Sequence, residues 1–183
     1  MKRAIWLMMA FSLTLSFSSY GQETREERRA VAKEKQAALD SLSAQQIKTA
    51  LAEKKWVLEA DRLSNTIGET INVNSNLNFI ALEGKEAYVQ LGSESGMGSN
   101  GVGGVTIRAN VEKYDVTKSK RGTYYIHVFL TSVLGNFDIS IDMNNTGQMA
   151  SATIQGNTAN SITYSGRVIP LNHSTIYKGT PLF

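Results

Sequence analysis

Apolar and polar residues recur along this chain with two different periods, and the change falls at Trp56. Before it, Leu39 with Leu42 and Ile47 with Leu51 sit three and four residues apart, the spacing of one helix face. Residues 22–60 hold neither Gly nor Pro and are rich in Ala, Glu, Lys, Arg and Gln, which favours helix throughout. The opening part, residues 22–36, has Val31 as its one large apolar side chain, so it can bury almost nothing and is expected to fray or stand in solvent. Ser43 with Gln46 three residues on has the form of a capping box, which predicts a second short helix beginning there.

From Trp56 onward the period is two. Val105, Ile107, Ala109 and Val111 alternate with polar residues, as do Tyr124, Ile126, Val128 and Leu130, and then Phe137, Ile139, Ile141 and Met143. Gly135-Asn136 reads as a two-residue hairpin loop. Taken so, it pairs Leu134 with Phe137, Leu130 with Ile141 and Val128 with Met143, and apolar faces meet. Further turn signals stand at residues 83–85, 118–122, 144–147 and 155–157. The reading is a mainly β fold: an antiparallel meander of about eight strands, closed as a lipocalin-like barrel or sandwich and preceded by an N-terminal helix. Aromatic residues on both faces of the strand from Tyr124 to Thr131 suggest that a helix covers part of the barrel wall.

The first residues follow neither pattern. Lys2 and Arg3 precede an apolar run from Ala4 to Phe17, and Ser19 and Gly21 are small residues at the −3 and −1 positions before Gln22. That is the architecture of a cleaved secretory signal, and the run is short of the ~20 residues that span a bilayer. The expected organisation is a signal peptide over 1–21, a charged helical leader over 22–54 and a β domain over 55–183. No cysteine is present to carry a lipid at the cleavage site, so the expected product is exported and soluble in the periplasm or outside the cell. Cleavage removes two of the 19 basic residues and none of the 16 acidic ones. The near-balance that remains takes away the electrostatic case for a nucleic-acid partner.

Composition also narrows the chemistry. Without cysteine there are no disulfides, thiolate metal sites or thiol nucleophiles, and two histidines, His127 and His173, exclude a three-histidine metal centre. No metal site and no cofactor are expected. Gly96-Met-Gly-Ser-Asn100-Gly101 spells the dinucleotide-binding glycine pattern, with Asp115 at the distance where a ribose-binding acid is sought. The pattern needs a helix after it, whereas here it leads into the strand that starts at Val105. It reads instead as a mobile loop, with Gly96, Gly98, Asn100 and Gly101 near one end of the sheet. His127 faces Asp142 diagonally in the hairpin register, but no third group or nucleophile accompanies them. His173 has no partner that the sequence indicates. Asp138 and Asp142 on one strand stand too far apart for a glycosidase pair, and Lys118-Ser-Lys-Arg121 is a polar hairpin tip.

Several blocks carry a resemblance. Trp56-Val-Leu-Glu-Ala-Asp61, Asn74-Ser-Asn-Leu-Asn-Phe-Ile80, Val89-Gln90, Asn100-Gly-Val-Gly-Gly-Val-Thr106 and Ser165-Gly-Arg-Val-Ile-Pro-Leu171, continued by Ile176-Tyr-Lys-Gly179, resemble a bacterial family of exported proteins, the domain of unknown function numbered 4251. The blocks come in the family's order over nearly the whole chain after residue 21. The resemblance implies a small periplasmic β protein similar to a lipocalin-type barrel, and it brings no activity, cofactor or catalytic residue. Ser93, Glu94 and Ser95 are more polar than the family's pattern, which separates this loop from any function shared there. The leading expectation is a monomeric, non-enzymatic binding module for a small or apolar ligand, with Tyr88, Tyr124, Phe137 and Tyr164 facing inward to line its site. The other expectation is a structural or interaction component of the cell envelope, its core filled by those same side chains.

Overall fold

The computed structural model describes residues 25–93, 101, 103–157 and 160–181. The chain divides into two units, Met1–Ala37 and Ala38–Phe183. In the first, residues 25–37 are helical and every one is exposed, as their charged composition dictates. The predicted signal segment lies outside the described residues.

Helix α1 (Arg25–Glu53) runs without a break, so no second helix starts at Ser43. Nothing around Ser43 stops a helix, and a capping box acts only where the preceding turn has ended. Within the second unit the helix buries Ile47, Ala50 and Leu51, which are neighbours at the three- to four-residue spacing of one face. Lys54 ends it in the left-handed conformation (φ 56°), with its amide on the Leu51 carbonyl at 3.2 Å and its own carbonyl accepting from Gly84 at 2.8 Å.

Nine strands follow: β1 (Lys55–Asn65), β2 (Thr70–Asn72), β3 (Phe79–Glu83), β4 (Glu86–Leu91), β5 (Val105–Lys118), β6 (Tyr124–Ser132), β7 (Gly135–Met143), β8 (Ala150–Gln155) and β9 (Ser161–Pro170). All pairings are antiparallel, and β1 meets β9 over nine residue pairs, so eight strands close into a barrel with β2 as an extra strand on β1. Closure leaves no long edge to recruit other chains. Two bulges, at Asp61 and Glu112, sharpen the bends that closure requires.

The β6–β7 hairpin turns two residues earlier than predicted. Its loop is Val133-Leu134, between the paired Ser132 and Gly135, so Leu130 meets Phe137, Val128 meets Ile139 and Tyr124 meets Met143. The Ser132 hydroxyl decides this: it accepts from the Leu134 amide at 3.1 Å and donates to the Gly135 carbonyl at 3.3 Å. Each strand slides by an even number of residues, so every side chain keeps its predicted face.

Cover on the outer wall comes from a different place than expected. The outer face of β6 is left open, with Tyr125 exposed and His127 half-buried. The walls of β1, β3 and β4 are instead covered by the C-terminal segment after the 3-10 turn Leu171–His173, with Val57, Phe79 and Ala81 packed beneath Leu171 and Ile176. Polar side chains hold that segment down. Glu59, its side chain 1% exposed, accepts from the Ser174 hydroxyl at 2.8 Å and from Arg167 at 2.9 Å. The Gln90 amide donates to the Leu77 and Tyr177 carbonyls and accepts from Thr106 and the Gly179 amide, so each of its polar atoms is satisfied.

Candidate functional site

The barrel interior is the first place to look for a site, and the chain's own side chains occupy it. Alternate residues of every barrel strand point inward, among them Leu58, Leu82, Val128, Leu130, Ile139, Ile141 and Ala152, all buried in one cluster. Two aromatic side chains cross from wall to wall. Tyr164 of β9 donates its hydroxyl proton to the Gln90 carbonyl of β4 at 3.2 Å, and burial pushes its phenol well above the ordinary tyrosine range. Trp56 of β1 donates Nε1–H to the Tyr114 hydroxyl of β5 at 3.1 Å, and Tyr114 donates in turn to the Leu51 carbonyl of the helix at 3.0 Å. Burial raises the Tyr114 phenol to about 12, against a smaller opposing effect of the bond from Trp56. The helix end and Trp56 thus close one end of the barrel.

The four aromatic residues predicted to share a site are not brought together. Tyr164 and Tyr124 are buried in the core, and Phe137 packs half-buried against it. Tyr124 stands at the helix-capped end, where Lys118 lies 4.5 Å from its ring centre and donates to its hydroxyl. Tyr88 lies on the outer wall, which corrects the inward reading. Its parity is that of Glu86 and Gln90, while Ala87 and Val89 face the core, and the alternation of polar and apolar residues in Glu86–Leu91 already carried that signal. Its hydroxyl donates to Glu86 at 3.2 Å, and Lys178 sits 4.4 Å from its ring centre while also pairing with Glu83. Burial first, and then the bond to Glu86, raise its phenol. Arg108 binds the same Glu86 and holds that carboxyl below its usual range.

The chemistry singled out in the sequence is also spread over the outer surface. His127 Nε2 lies 2.9 and 2.8 Å from the two carboxylate oxygens of Asp138, not near Asp142, because the hairpin register moves Ser140 opposite His127. The pair stands half-exposed on the outward wall of two strands. Among the described residues no cluster of three or more metal-ligating side chains exists. Of the predicted loop, Gly96, Gly98 and Asn100 lie outside the described residues, and Gly101 is exposed with φ 74°.

The outer surface does form a groove, of about 680 Å³, between the second half of α1 and the 3-10 turn. Leu42, Ala50, Pro170 and Leu171 give it an apolar strip, and Gln45, Gln46, Asn172 and His173 flank that strip with donors and acceptors. Glu53 and Lys55, 4.0 Å apart, stand at its margin. The volume suits a small molecule or a short segment of chain. Thr49 also lines it. Sequence reading missed this groove because its two walls are about 120 residues apart in the chain, and His173 was visible only as an unpaired histidine.

Comparison with known proteins agrees with this fold. The family model described as "Domain of unknown function (DUF4251)" matches residues 38–168. A crystal structure of a DUF4251 family protein from Bacteroides eggerthii is similar at 31% sequence identity with a TM-score of 0.63, over 75% of this chain and 93% of that one. No curated protein matches. The chain belongs to the DUF4251 family.

Proposed function

We propose that this DUF4251 protein is an exported, periplasmic interaction protein of the cell envelope, a filled barrel used as a rigid scaffold whose contacts are made on its outside. The observation that carries this reading is the pair of wall-to-wall side chains, Tyr164 and Trp56, which occupy the space a barrel carrier keeps for its ligand. Residues 1–21 serve as the signal peptide, and the absence of cysteine leaves the processed chain without a lipid anchor. Among the described residues no helix is long and apolar enough to cross a membrane. The groove beside α1 is the foremost contact surface, because it joins an apolar strip to flanking amides. The chemistry at hand supports binding and not turnover: the His127–Asp138 pair has no nucleophile bonded to it.

The test is the mass of residues 22–183 purified from the native envelope, measured under gentle and under denaturing ionisation. Equal masses are expected. A mass excess seen only under gentle conditions would overturn the filled-scaffold reading in favour of a small apolar ligand held in the barrel, and its value would name the ligand's class.

A further inference from the structure

On the outward wall of the barrel several polar side chains of neighbouring strands bond to each other. Ser64 and Thr70 lie 2.9 Å apart, Thr153 and Thr163 lie 3.3 Å apart, and His127 holds Asp138. In the adjacent row, two residues along each strand, none does. Tyr125, Asp142, Ser151, Ser165 and Arg62 stand opposite one another in turn across β6, β7, β8, β9 and β1. Among the described residues the side chains of Asp142, Ser151 and Ser165 make no hydrogen bond or ion pair with the chain. The β1 bulge turns two consecutive charged side chains, Asp61 and Arg62, to the outside, 3.6 Å apart and both exposed. Between them and Asp142 the small residues Ala150, Ser151, Ser165 and Gly166 form a floor, and the result is a pocket of about 600 Å³. Gln148 and Met149 of the β7–β8 connection also line it, and Met149 is its one exposed apolar side chain.

We infer that this pocket binds a neutral oligosaccharide, laid along the row from Tyr125 to Arg62. A sugar chain is an array of hydroxyls, each both donor and acceptor, on rings with apolar C–H faces. Asp61 and Asp142 accept from such hydroxyls while Arg62, Ser151 and Ser165 donate, and the charged partners make the stronger bonds. The half-exposed Tyr125 ring, opposite Asp142, gives a C–H face a surface to stack on, and Met149 gives a second. The row crosses four strand-to-strand steps, about 19 Å, so several sugar units fit along it. The lining holds two carboxylates and one guanidinium, and no excess of basic groups marks it for phosphate or sulfate. A peptide is poorly served, because β6, β7, β8, β9 and β1 are each paired on both sides and leave no main-chain groups for an added strand. The lining also lacks an apolar hollow for an anchoring side chain. This site is separate from the groove beside α1 and does not depend on it.

The experiment is isothermal titration of residues 22–183 with cellohexaose, xylohexaose, mannohexaose, maltohexaose and chitohexaose, and with a galacturonate hexamer as the anionic comparison. At least one neutral hexamer is expected to bind with a Kd of about 1 mM or tighter. Asp142→Ala and Tyr125→Ala, each with Trp56 emission unchanged as proof of folding, are expected to weaken that binding roughly tenfold. Leu42→Asp, in the groove beside α1, is expected to leave it unchanged. Failure of every neutral hexamer, tighter binding of the galacturonate hexamer, equal binding by Asp142→Ala, or binding lost in Leu42→Asp each overturns the inference. The mass comparison is independent of these sugars, so failure here with equal masses leaves the filled scaffold standing and removes only its sugar ligand.

Discussion

The two ends of the barrel are made of the same strands and finished in opposite ways. At one end Ile47, Ala50 and Leu51 of the helix are buried in the same cluster as Trp56, and hydrogen bonds run from Trp56 through Tyr114 to Leu51, with no buried side-chain polar atom left unpaired among the described residues. At the other end, the rim, Ile67 and Val133 point into solvent. The difference teaches where stability and function are kept apart. One end is tied by burial and fully matched polar groups, while the other spends nothing on packing and keeps its apolar groups available.

The contrast breaks hardest at Trp56. Replacing it with alanine empties the space under the helix and strands the Tyr114 hydroxyl without its donor, so urea unfolding is expected to lose roughly 3–5 kcal/mol. Within residues 22–183 Trp56 is the one tryptophan, the other being Trp6. Its fluorescence therefore reports the capped end alone. Emission that an aqueous quencher reaches in the native protein would show that this end is open and the contrast false.

Two glycines give a matched comparison of the ends. Gly147 and Gly68 both have left-handed backbones, with φ of 75° and 87°. A Cβ on Gly147 would stand 2.3 Å from the Val168 carbonyl oxygen and 2.7 Å from Ile47 Cδ1, whereas a Cβ on Gly68 meets nothing within 4 Å. Gly147→Ala is expected to cost roughly 3 kcal/mol, from backbone strain and a clash with backbone that cannot give way. Gly68→Ala has only the strain, roughly 1 kcal/mol. Equal losses in chemical denaturation would mean that the capped end relaxes as freely as the rim.

How far the sequence disclosed this arrangement depends on the range of the interaction. Alternation is local, so the strands, their faces and the closed antiparallel barrel were legible, and an even slip in the β6–β7 register left the core assignment intact. The same slip spoiled the finer site reading, replacing Asp142 by Asp138 as the partner of His127. The covering segment was not legible at all. Residues 171–181 show no periodicity, and the polar groups that hold them, Glu59 and Gln90, bond to partners 115 and 87–89 residues away. Tyr88 was misplaced by reading it as an aromatic instead of by its position among Glu86 and Gln90. The helix cap was half legible: the Ile47 and Leu51 spacing named the buried face, but nothing local named the barrel mouth as its seat.

Alkaline titration sharpens the comparison because two of the raised phenols, Tyr114 and Tyr164, belong to the sealed interior, while the third, Tyr88, lies on the outer wall. Tyr114 has a folded-state pKa of about 12 against an ordinary value of 10.0. Below pH 10 the phenol is neutral in both states and its contribution is fully present. Between pH 10 and about 12 the unfolded chain ionises while the folded one does not, so stability falls as pH rises, and Tyr164 acts in the same direction. Tyr114→Phe is expected to cost roughly 1–2 kcal/mol at pH 8, where two hydrogen bonds are lost. The gap to the unsubstituted protein then narrows from pH 10 to 12, because phenylalanine has nothing to ionise. A gap that stays constant over that window would place Tyr114 in water, and with it the seal over the barrel.

The smallest effect is expected at the rim, and its smallness is what the contrast needs. Ile67 and Val133 are almost as exposed in the folded protein as in an unfolded chain, so folding gains little from their burial and loses little when they go. Ile67→Ser and Val133→Ser, measured separately by urea unfolding, should each stay within about 0.5 kcal/mol of the unsubstituted protein. The turns behind them are set by Gly68 and Gly135 and by the Ser132 hydroxyl, none of which these substitutions touch. A loss above about 1 kcal/mol at either position, particularly one that grows with protein concentration, would mean that the tips are buried against a second copy in solution. The rim would then be as sealed as the helix end, by association instead of by its own chain, and the two ends would differ only in what closes them.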